Sequence, residues 1–293
     1  MRIGTWNLAG RWSPDHERLM TGQECDLWLL TEVSDRVELP GMRRHMGREL
    51  MAARRHWAAI VSHHRFEPLD DPHPASASVR VGASTFVSTV LPWRSCRDRH
   101  PWIGTRHEEK TRAAVGSVIE SLQGPVVWGG DWNHALHGPE YAGSRAGRAH
   151  LEEAIDRLDL QVPTEFLPHR INGLLSIDHI ALPIGAVVGS AERIAAAFEG
   201  KRLSDHDAYV VTVQGVPIYD KVLRQVMGLE KSHWAPLNTA LRADEQALHH
   251  RLLALRDEAG VQETVSPLRV LDVIARRDGK NLDYCSSPRS TRR

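Results

Sequence analysis

The 293-residue sequence contains little cysteine and no long apolar segment. Its three cysteines, Cys25, Cys96 and Cys285, fit neither a disulfide framework nor a zinc site by their spacing, which favours a reducing compartment. No apolar run approaches the ~20 residues that a membrane-spanning helix needs. The N-terminus also lacks the basic and apolar regions of a signal peptide. We therefore expect a cytoplasmic protein without a membrane span.

An excess of charge of one sign is also missing, because 37 Lys and Arg residues balance 37 Asp and Glu residues. A formal net charge of zero provides no whole-molecule field that would recruit nucleic acid or an anionic membrane. Only five of the basic residues are lysine, so the arginine-rich composition weakens any argument from a single arginine. The 17 histidines require the same caution. A polyanionic partner must therefore bind a local patch.

Strand-like and helix-like segments alternate over the first 215 residues. Apolar patterns predict strands over residues 2–7, 26–32, 57–62, 77–81, 85–90, 125–131, 176–182 and 208–214. Apolar stripes at helical spacing predict two amphipathic helices, one with Val115, Val118, Ile119 and Leu122, the other with Leu151, Ala154, Ile155 and Leu158. Because strands outnumber helices and several follow one another directly, this pattern favours two packed sheets flanked by helices.

The pattern changes near residue 216 and becomes helical. Leu252 and its neighbours at helical spacing, Leu248 and Leu255, predict a helix that ends near Gly260. Ser266 and Pro267 predict the start of another helix, which ends near Gly279. We therefore predict a domain of strands and helices over residues 1–215, a small helical extension over 216–284 and a disordered tail over 285–293. The extension is a candidate surface for a protein partner or for self-association.

Polar residues stand at the ends of several predicted strands, where a buried strand would not place them. They are Asn7, Glu32, Asp131, Asn133, Asp178, Asp205 and His206. Most have an ordinary alternative, such as an Asx-turn over residues 131–133 or a structural salt bridge for Asp178. An acid among apolar residues, such as Glu32, costs free energy to bury unless it is paired or bound to a cation. In an extended backbone Asp131 and Asn133 present their side chains on one face.

Five segments resemble, in order and context, the motifs of the endonuclease/exonuclease/phosphatase superfamily. They are TWNLAG, LLTEV, GGDWN, SIDHI and LSDH. The resemblance covers residues 1 to about 214 and implies an α/β (α+β) fold, a four-layered α/β sandwich of two packed mixed sheets flanked by helices. It also implies a phosphoesterase that depends on Mg²⁺ or on Mn²⁺. Glu32 is then the best metal ligand. By the same resemblance Asn7 binds the ion with it or supports it from the outer coordination sphere, and Asp205 completes the metal site or holds a second ion.

Four further residues receive roles in phosphate ester cleavage from this resemblance. Asp131 orients the attacking water, and Asn133 donates its amide hydrogens to the phosphate or to Asp131. His206 contacts a phosphoryl oxygen. Asp178 accepts the other ring proton of His206, which fixes the tautomer and favours the charged imidazolium.

One position departs from the superfamily pattern. Many members carry a second histidine in the strand before the GD-aromatic-N motif, and Val90 occupies that place here. We hypothesise that a residue of the following segment substitutes for it: His100, His107, Arg97, Arg99 or Arg106.

A cluster of basic residues favours nucleic acid as the substrate. The cluster lies near Trp57 and consists of Arg43, Arg44, Arg48, Arg54 and Arg55. Such a patch can follow a phosphate backbone, although a solvated basic surface gives the same pattern. Two alternatives stay open: hydrolysis of a small phosphorylated metabolite or lipid headgroup, and a catalytically inactive scaffold of the same fold.

Overall fold

The structure is a computed structural model that describes residues 1–98, 100–122, 124–215 and 247–260, together with 270 and 274. The chain divides into two compact units, Met1–Gln214 and Gly215–Arg293. Within the described residues, no helix has both the length and the apolar character that crossing a membrane requires.

The first unit is built mainly from strands. In chain order they are β1 (Arg2–Asn7), β2 (Leu27–Ser34), β3 (Arg43–Met46), β4 (Leu50–Ala52), β5 (Arg55–Ser62), β6 (Glu67–Pro68), β7 (Ser76–Val81), β8 (Ser84–Thr89), β9 (Val126–Asp131), β10 (Leu160–Gln161), β11 (Asp178–Pro183), β12 (Val187–Ile194), β13 (Ala197–Phe198), β14 (Lys201–Arg202) and β15 (Ala208–Gly215). Its helices are α1 (Pro14–Thr21), α2 (His107–Ser121) and α3 (Arg145–Arg157).

The larger strands form two mixed sheets. The first has the order β12-β15-β1-β2-β5-β3, with β4 also paired to β5, and the second has the order β10-β11-β9-β8-β7-β6. The pairs β1–β2 and β8–β9 are parallel, while β1–β15, β2–β5 and β9–β11 are antiparallel. The ends of β1, β2 and β9 that carry polar residues therefore meet the start of β11.

Helices cover the outer faces of both sheets. On the first sheet, Trp6 and Trp28 pack with Leu19 and Met20 of α1 in one buried cluster. On the second sheet, Val87 and Trp128 pack in another cluster with α2 and α3, where the predicted stripe residues Val115, Val118, Leu151 and Ala154 are buried. The order of layers is helix, sheet, sheet, helix. The predicted four-layered α/β sandwich is confirmed.

The two sheets approach closely at the glycines before Asp131. A Cβ on Gly129 would lie 2.7 Å from Leu29 Cδ1 of the first sheet and 2.6 Å from the His179 carbonyl oxygen. Gly130 has φ +124, and a Cβ there would overlap the backbone of Thr89. Only glycine fits this backbone conformation and close approach without strain. The glycine pair thus allows β9 to deliver Asp131 between the sheets.

All eight predicted strands are present, with ends displaced by one or two residues in most cases. The predicted stripes lie on helices α2 and α3, except that Leu122 and Leu158 directly follow the last residue of each helix. The sequence patterns missed α1 and the strands β3, β4, β6, β10, β12, β13 and β14. Most of these missed strands are short or exposed, so they lack the apolar alternation on which the predictions rest.

The described part of the second unit contains helix α4 (Ala247–Glu258), in which Leu252 is buried. The chain turns at Gly260, which has φ +65, so the predicted helix with an end near Gly260 is confirmed. Residues 270 and 274 are helical. The rest of the predicted second helix, the start of the extension and the tail lie outside the described residues.

Candidate active site

Strand ends from both sheets bring the predicted polar residues to one place. Asn7 ends β1 and Glu32 lies near the end of β2, which runs parallel to β1. In the second sheet, Asp131 at the end of β9 is paired with Asp178 at the start of β11. His206 lies just before β15, the antiparallel neighbour of β1. The fold therefore assembles residues that are far apart in sequence.

These five side chains form a continuous row of contacts. Asn7 Nδ2 lies 3.3 Å from Glu32 Oε1 and 2.9 Å from Asp131 Oδ2. Asp131 Oδ2 is 3.9 Å from His206 Nε2. His206 Nδ1 is 2.7 Å from Asp178 Oδ2, which is the contact expected from the sequence. The row runs from Glu32 through Asn7, Asp131 and His206 to Asp178.

Asn7 is held so that its amide hydrogens face the two acids. Its Oδ1 accepts a hydrogen bond from the backbone N–H of Ala9 at 2.8 Å, which fixes the orientation of the amide group. The buried hydroxyl of Ser204 donates to the Asn7 carbonyl oxygen at 2.6 Å. Ser204 lies in the LSDH segment, but the sequence analysis did not assign it a role. Asn7 thus bridges Glu32 and Asp131.

Glu32 adopts a backbone conformation that is rare within a strand. Its φ is +48, which for a residue with a side chain costs on the order of 1–3 kcal/mol. The Glu32 carbonyl oxygen accepts a hydrogen bond of 2.7 Å from the N–H of Gly10. Burial, followed by the nearby charge of Asp131, raises the pKa of the Glu32 carboxyl. The fold therefore holds Glu32 in a strained conformation beside another acid.

The extended backbone expected for residues 131–133 is not what the structure shows. Asn133 has φ +54, and its backbone N–H donates to Asp131 Oδ1 at 3.0 Å, which makes an Asx-turn. The Asn133 side chain donates to the Leu91 carbonyl oxygen at 2.9 Å. The prediction that Asp131 and Asn133 present their side chains on one strand face was therefore wrong, because the Asx-turn bends the chain directly after β9. Trp132 is fully buried and packs on Trp128.

Burial and mutual repulsion dominate the electrostatics of the row. Burial, together with the charge of Asp178, raises the pKa of Asp131 to about 7 against the opposing effect of His206. Burial also raises the pKa of Asp178, whose Oδ1 is buried with no hydrogen-bond partner among the residues that the structure describes. Burial alone would lower the pKa of His206, but the Asp178 and Asp131 carboxylates outweigh it and raise that pKa to about 10. His206 is therefore an imidazolium at neutral pH.

Two different sets of side chains are candidates for holding a cation. The ligand atoms of Asp131, Asp178 and His206 lie within 4.8 Å of one another. The only nitrogen donor in that set belongs to His206, whose pKa is raised by the two carboxylates, so the ring would have to lose a proton before it could bind a cation. The oxygens of Glu32 and Asp131, on either side of the Asn7 amide, suit a hard cation such as Mg²⁺ better.

The remaining predicted site residue and its neighbours lie at the margin of the row. Asp205 is exposed, and the Ser204 hydroxyl lies 3.5 Å from its Oδ1. Asp207 points away and pairs with Arg202 and Arg193, at 2.6 and 3.5 Å. The structure does not bring Asp205 into the hydrogen-bonded row.

The position of the second superfamily histidine is filled by core packing. Val90 is buried in the cluster beneath α2 and α3. Among the hypothesised substitutes, His107 contacts Ser144 Oγ and the Pro92 carbonyl oxygen, and Arg106 pairs with Glu108 and Glu109. His100 lies 3.7 Å from Glu49, Arg97 is exposed, and Arg99 lies outside the described residues. These contacts give no support to the substitution hypothesis.

Two mixed sheets packed between helices form the endonuclease/exonuclease/phosphatase fold, and acids, an amide and an imidazolium lie at their common edge here. The first unit of the chain has this fold. A 3'-5' exonuclease (NExo) from Neisseria meningitidis superposes with a TM-score of 0.56 and 18% identity, over 73% of this chain and 99% of that one. An AP endonuclease from Archaeoglobus fulgidus superposes with a TM-score of 0.55 and 14% identity, over 73% and 99%.

A further solved structure is the 3' phosphatase NExo from Neisseria bound to a product DNA hairpin. It superposes with a TM-score of 0.56 and 17% identity, over 73% of this chain and 99% of that one. Residues 214–279 match a model described as a family of unknown function (DUF6308). A comparison with curated protein sequences finds no significant match.

Proposed function

We propose that the protein is a divalent-cation-dependent phosphodiesterase that hydrolyses nucleic acid. The observation that carries the proposal is the row from Glu32 to Asp178, in which acids, an amide and an imidazolium converge at one sheet edge. Hydrolysis of a phosphodiester needs charge neutralisation at phosphoryl oxygens, an oriented water and a proton acceptor. The row contains candidates for each of these requirements.

The acids of the row fit a bound cation. Burial and neighbouring carboxylates raise the pKa values of Glu32 and Asp131 although cationic side chains lie nearby, so a bound cation would favour the ionised forms of both acids. Glu32 would hold the ion, with Asp131 on the other side of the Asn7 bridge and Asp205 near the exposed margin. When bound, Mg²⁺ would neutralise charge on the phosphoryl oxygens and on the leaving oxygen.

Asp131 is suited to orient and deprotonate the attacking water. The N–H of Asn133 and the amide of Asn7 each donate to this carboxylate, so its oxygens are fixed in direction. Burial raises the pKa of Asp131 above its ordinary value, which makes this carboxylate a stronger base for the proton of the attacking water. In this role Asn133 positions Asp131 through its backbone, and its side chain anchors the turn at Leu91.

His206 is suited to bind a phosphoryl oxygen as a cation. Asp178 accepts the proton on Nδ1, so Nε2 carries the second proton and is directed towards the Asp131 end of the row. The imidazolium donates a charge-assisted hydrogen bond, which is roughly twice as strong as a neutral one. Asp178 thereby orients His206 without contacting the substrate.

The same geometry argues against an inactive scaffold. A scaffold gains nothing from buried acids whose pKa values are raised by burial and by each other, because each one lowers the free energy of unfolding. Nucleic acid is favoured over a small metabolite or lipid headgroup because the structural relatives include an exonuclease, an AP endonuclease and a phosphatase bound to a product DNA hairpin.

A substrate panel tests the proposal. The protein is incubated with single-stranded and duplex DNA, abasic DNA, RNA, bis-(p-nitrophenyl) phosphate and inositol phosphates, with Mg²⁺ or with EDTA. We expect chelator-sensitive cleavage of at least one nucleic acid, and loss of that cleavage in Asp131→Asn. Asp207→Asn is the matched control, since Asp207 is equally buried but pairs outside the row. Absence of Mg²⁺-dependent turnover on every substrate would exclude the hydrolase.

A further inference from the structure

Arg55 extends the row at its Glu32 end. Arg55 Nη1 lies 3.9 Å from Glu32 Oε2, while the Arg55 side chain is 37% exposed. The row therefore has a cation at either end of its central acids, with the guanidinium beside Glu32 and the imidazolium beside Asp131. The predicted basic cluster included Arg55 only as one of five arginines, and its proximity to Glu32 could not be seen in the sequence.

The backbone fixes the position of the Arg55 side chain. Arg55 begins β5 and is paired with Ser34 of β2, two residues after Glu32. The guanidinium also lies directly against Gly10, where an added Cβ would overlap the Arg55 Nε and Cζ atoms. Gly10 in turn donates its N–H to the Glu32 carbonyl oxygen at 2.7 Å. Arg55 is thus held between two segments that belong to the candidate site.

The guanidinium of Arg55 is available to a ligand. Within the described part of the chain its N–H groups make no hydrogen bond, and the contact with Glu32 is longer than one. Two other arginines of the cluster, Arg54 and Arg44, differ in this respect. Arg54 donates to Asp35 at 2.9 Å, and Arg44 donates to the carbonyl oxygens of Asp35 and Val37. Trp57 is buried against Trp102, so it offers no face to a base.

We propose that Arg55 binds a phosphate of the substrate next to the one that is cleaved. Glu32, Asn7 and Asp131 separate Arg55 from His206, so the two cations face different positions along a ligand. A polymer of phosphodiesters presents a charge at both positions, whereas a single phosphate ester presents one. A guanidinium matches phosphate oxygens by its planar fork of donors. This inference rests on the proposed function and narrows its substrates to those that carry a second phosphate beside the one that is cleaved, as polynucleotides do.

The test measures DNA binding in the Asp131→Asn background, so that bound DNA is not cleaved. Fluorescence anisotropy follows a fluorescein-labelled DNA hairpin with a single-stranded overhang, in Mg²⁺ and at several salt concentrations. We expect Arg55→Gln to weaken binding about ten-fold and to reduce the slope of log K against log salt by about 0.7 to 0.9. The matched control Arg54→Gln removes the same charge from the adjacent, Asp35-paired position and should bind like its parent. Arg55→Lys retains the positive charge and should therefore keep the parental slope of log K against log salt.

The outcomes separate a phosphate contact from a role through Glu32. If Arg55 acts only on Glu32, Arg55→Gln changes the Mg²⁺ concentration at half-saturation and leaves the salt slope at its parental value, which overturns the inference. Equal behaviour of the Arg55→Gln and Arg54→Gln variants, or no DNA binding by the parent, also overturns it. Hydrolysis with Asp131 restored reports separately on the proposed function. If Arg55→Gln changes the salt slope but the protein with Asp131 restored shows no turnover, the phosphate contact of Arg55 is supported and the proposed hydrolase activity is refuted.

Discussion

Replacement of Asp178 by asparagine should move the alkaline limit of activity to lower pH. Asp178 Oδ2 lies 2.7 Å from His206 Nδ1, and the two nearby carboxylates raise the pKa of His206 from 6.5 to about 10. That change corresponds to about 5 kcal/mol of preference for the imidazolium. Asparagine keeps the size of the side chain and removes the hydrogen-bonded charge. His206 in the variant then loses its proton at a lower pH.

The size of the effect follows from the fraction of His206 that stays charged. If Asp178 supplies about half of the preference for the imidazolium, the pKa of His206 in Asp178→Asn falls by roughly two pH units. The value of kcat/KM at pH 9 then decreases about ten-fold or more, with a smaller loss at pH 7. The assay follows release of p-nitrophenolate from bis-(p-nitrophenyl) phosphate between pH 6 and pH 9.5 at constant Mg²⁺.

A control variant separates this effect from general damage. Asp207→Asn alters a buried acid next to His206 that pairs with Arg202, so it should lower stability and leave the alkaline limit in place. An Asp178→Asn profile that parallels the parent at every pH would refute the role of Asp178 in keeping His206 charged.

Two further predictions concern the cation and the glycine pair. At a hundred times its Kd, Mg²⁺ should raise the free energy of unfolding by about 2.7 kcal/mol. Glu32→Gln should abolish this gain and should stabilise the metal-free protein, because burial and Asp131 oppose the charge of Glu32. Thermal melts in Mg²⁺ and in EDTA measure both effects, and an unchanged Mg²⁺ response in the variant would contradict the assignment of Glu32 as a metal ligand. Gly130→Ala should lower the free energy of unfolding in urea by about 3 kcal/mol or more, because the added Cβ would overlap Thr89. Gly82 has φ +60 and open space around it, so the control Gly82→Ala should lower that free energy by only about 1–2 kcal/mol. Equal losses in the two variants would contradict the close packing at Gly130.

The buried strands could be predicted from sequence because their apolar runs mark the inner layers directly. The convergence of Asn7, Glu32 and Asp131 was predicted from the superfamily resemblance of their segments, and the structure brings these residues together at the ends of strands from both sheets. The strand β3 was missed because its residues are half-exposed or exposed and include Arg43 and Arg44, so no apolar alternation marks it. The periodicity of apolar residues predicts a strand or helix only where one face of that element is buried.

Local backbone conformation explains the errors within the site. The left-handed conformation at Asn133 depends on the hydrogen bond to Asp131, which competes with extension of the strand. The positive φ of Glu32 depends on tertiary contacts such as the hydrogen bond from Gly10. Arg55 lies 23 residues after Glu32, and only the β2–β5 register brings them together. None of these features leaves a periodic signal in the sequence.

The location of a bound divalent ion is the most direct test of the site. Crystals grown with Mn²⁺ in place of Mg²⁺ allow the ion to be located by its anomalous scattering. We expect a peak within about 2.2 Å of a Glu32 carboxylate oxygen, with Asp131 lining the same space and the His206–Asp178 hydrogen bond intact. A peak that replaces that hydrogen bond, or no peak near Glu32 at saturating Mn²⁺, would contradict the proposed arrangement of the site.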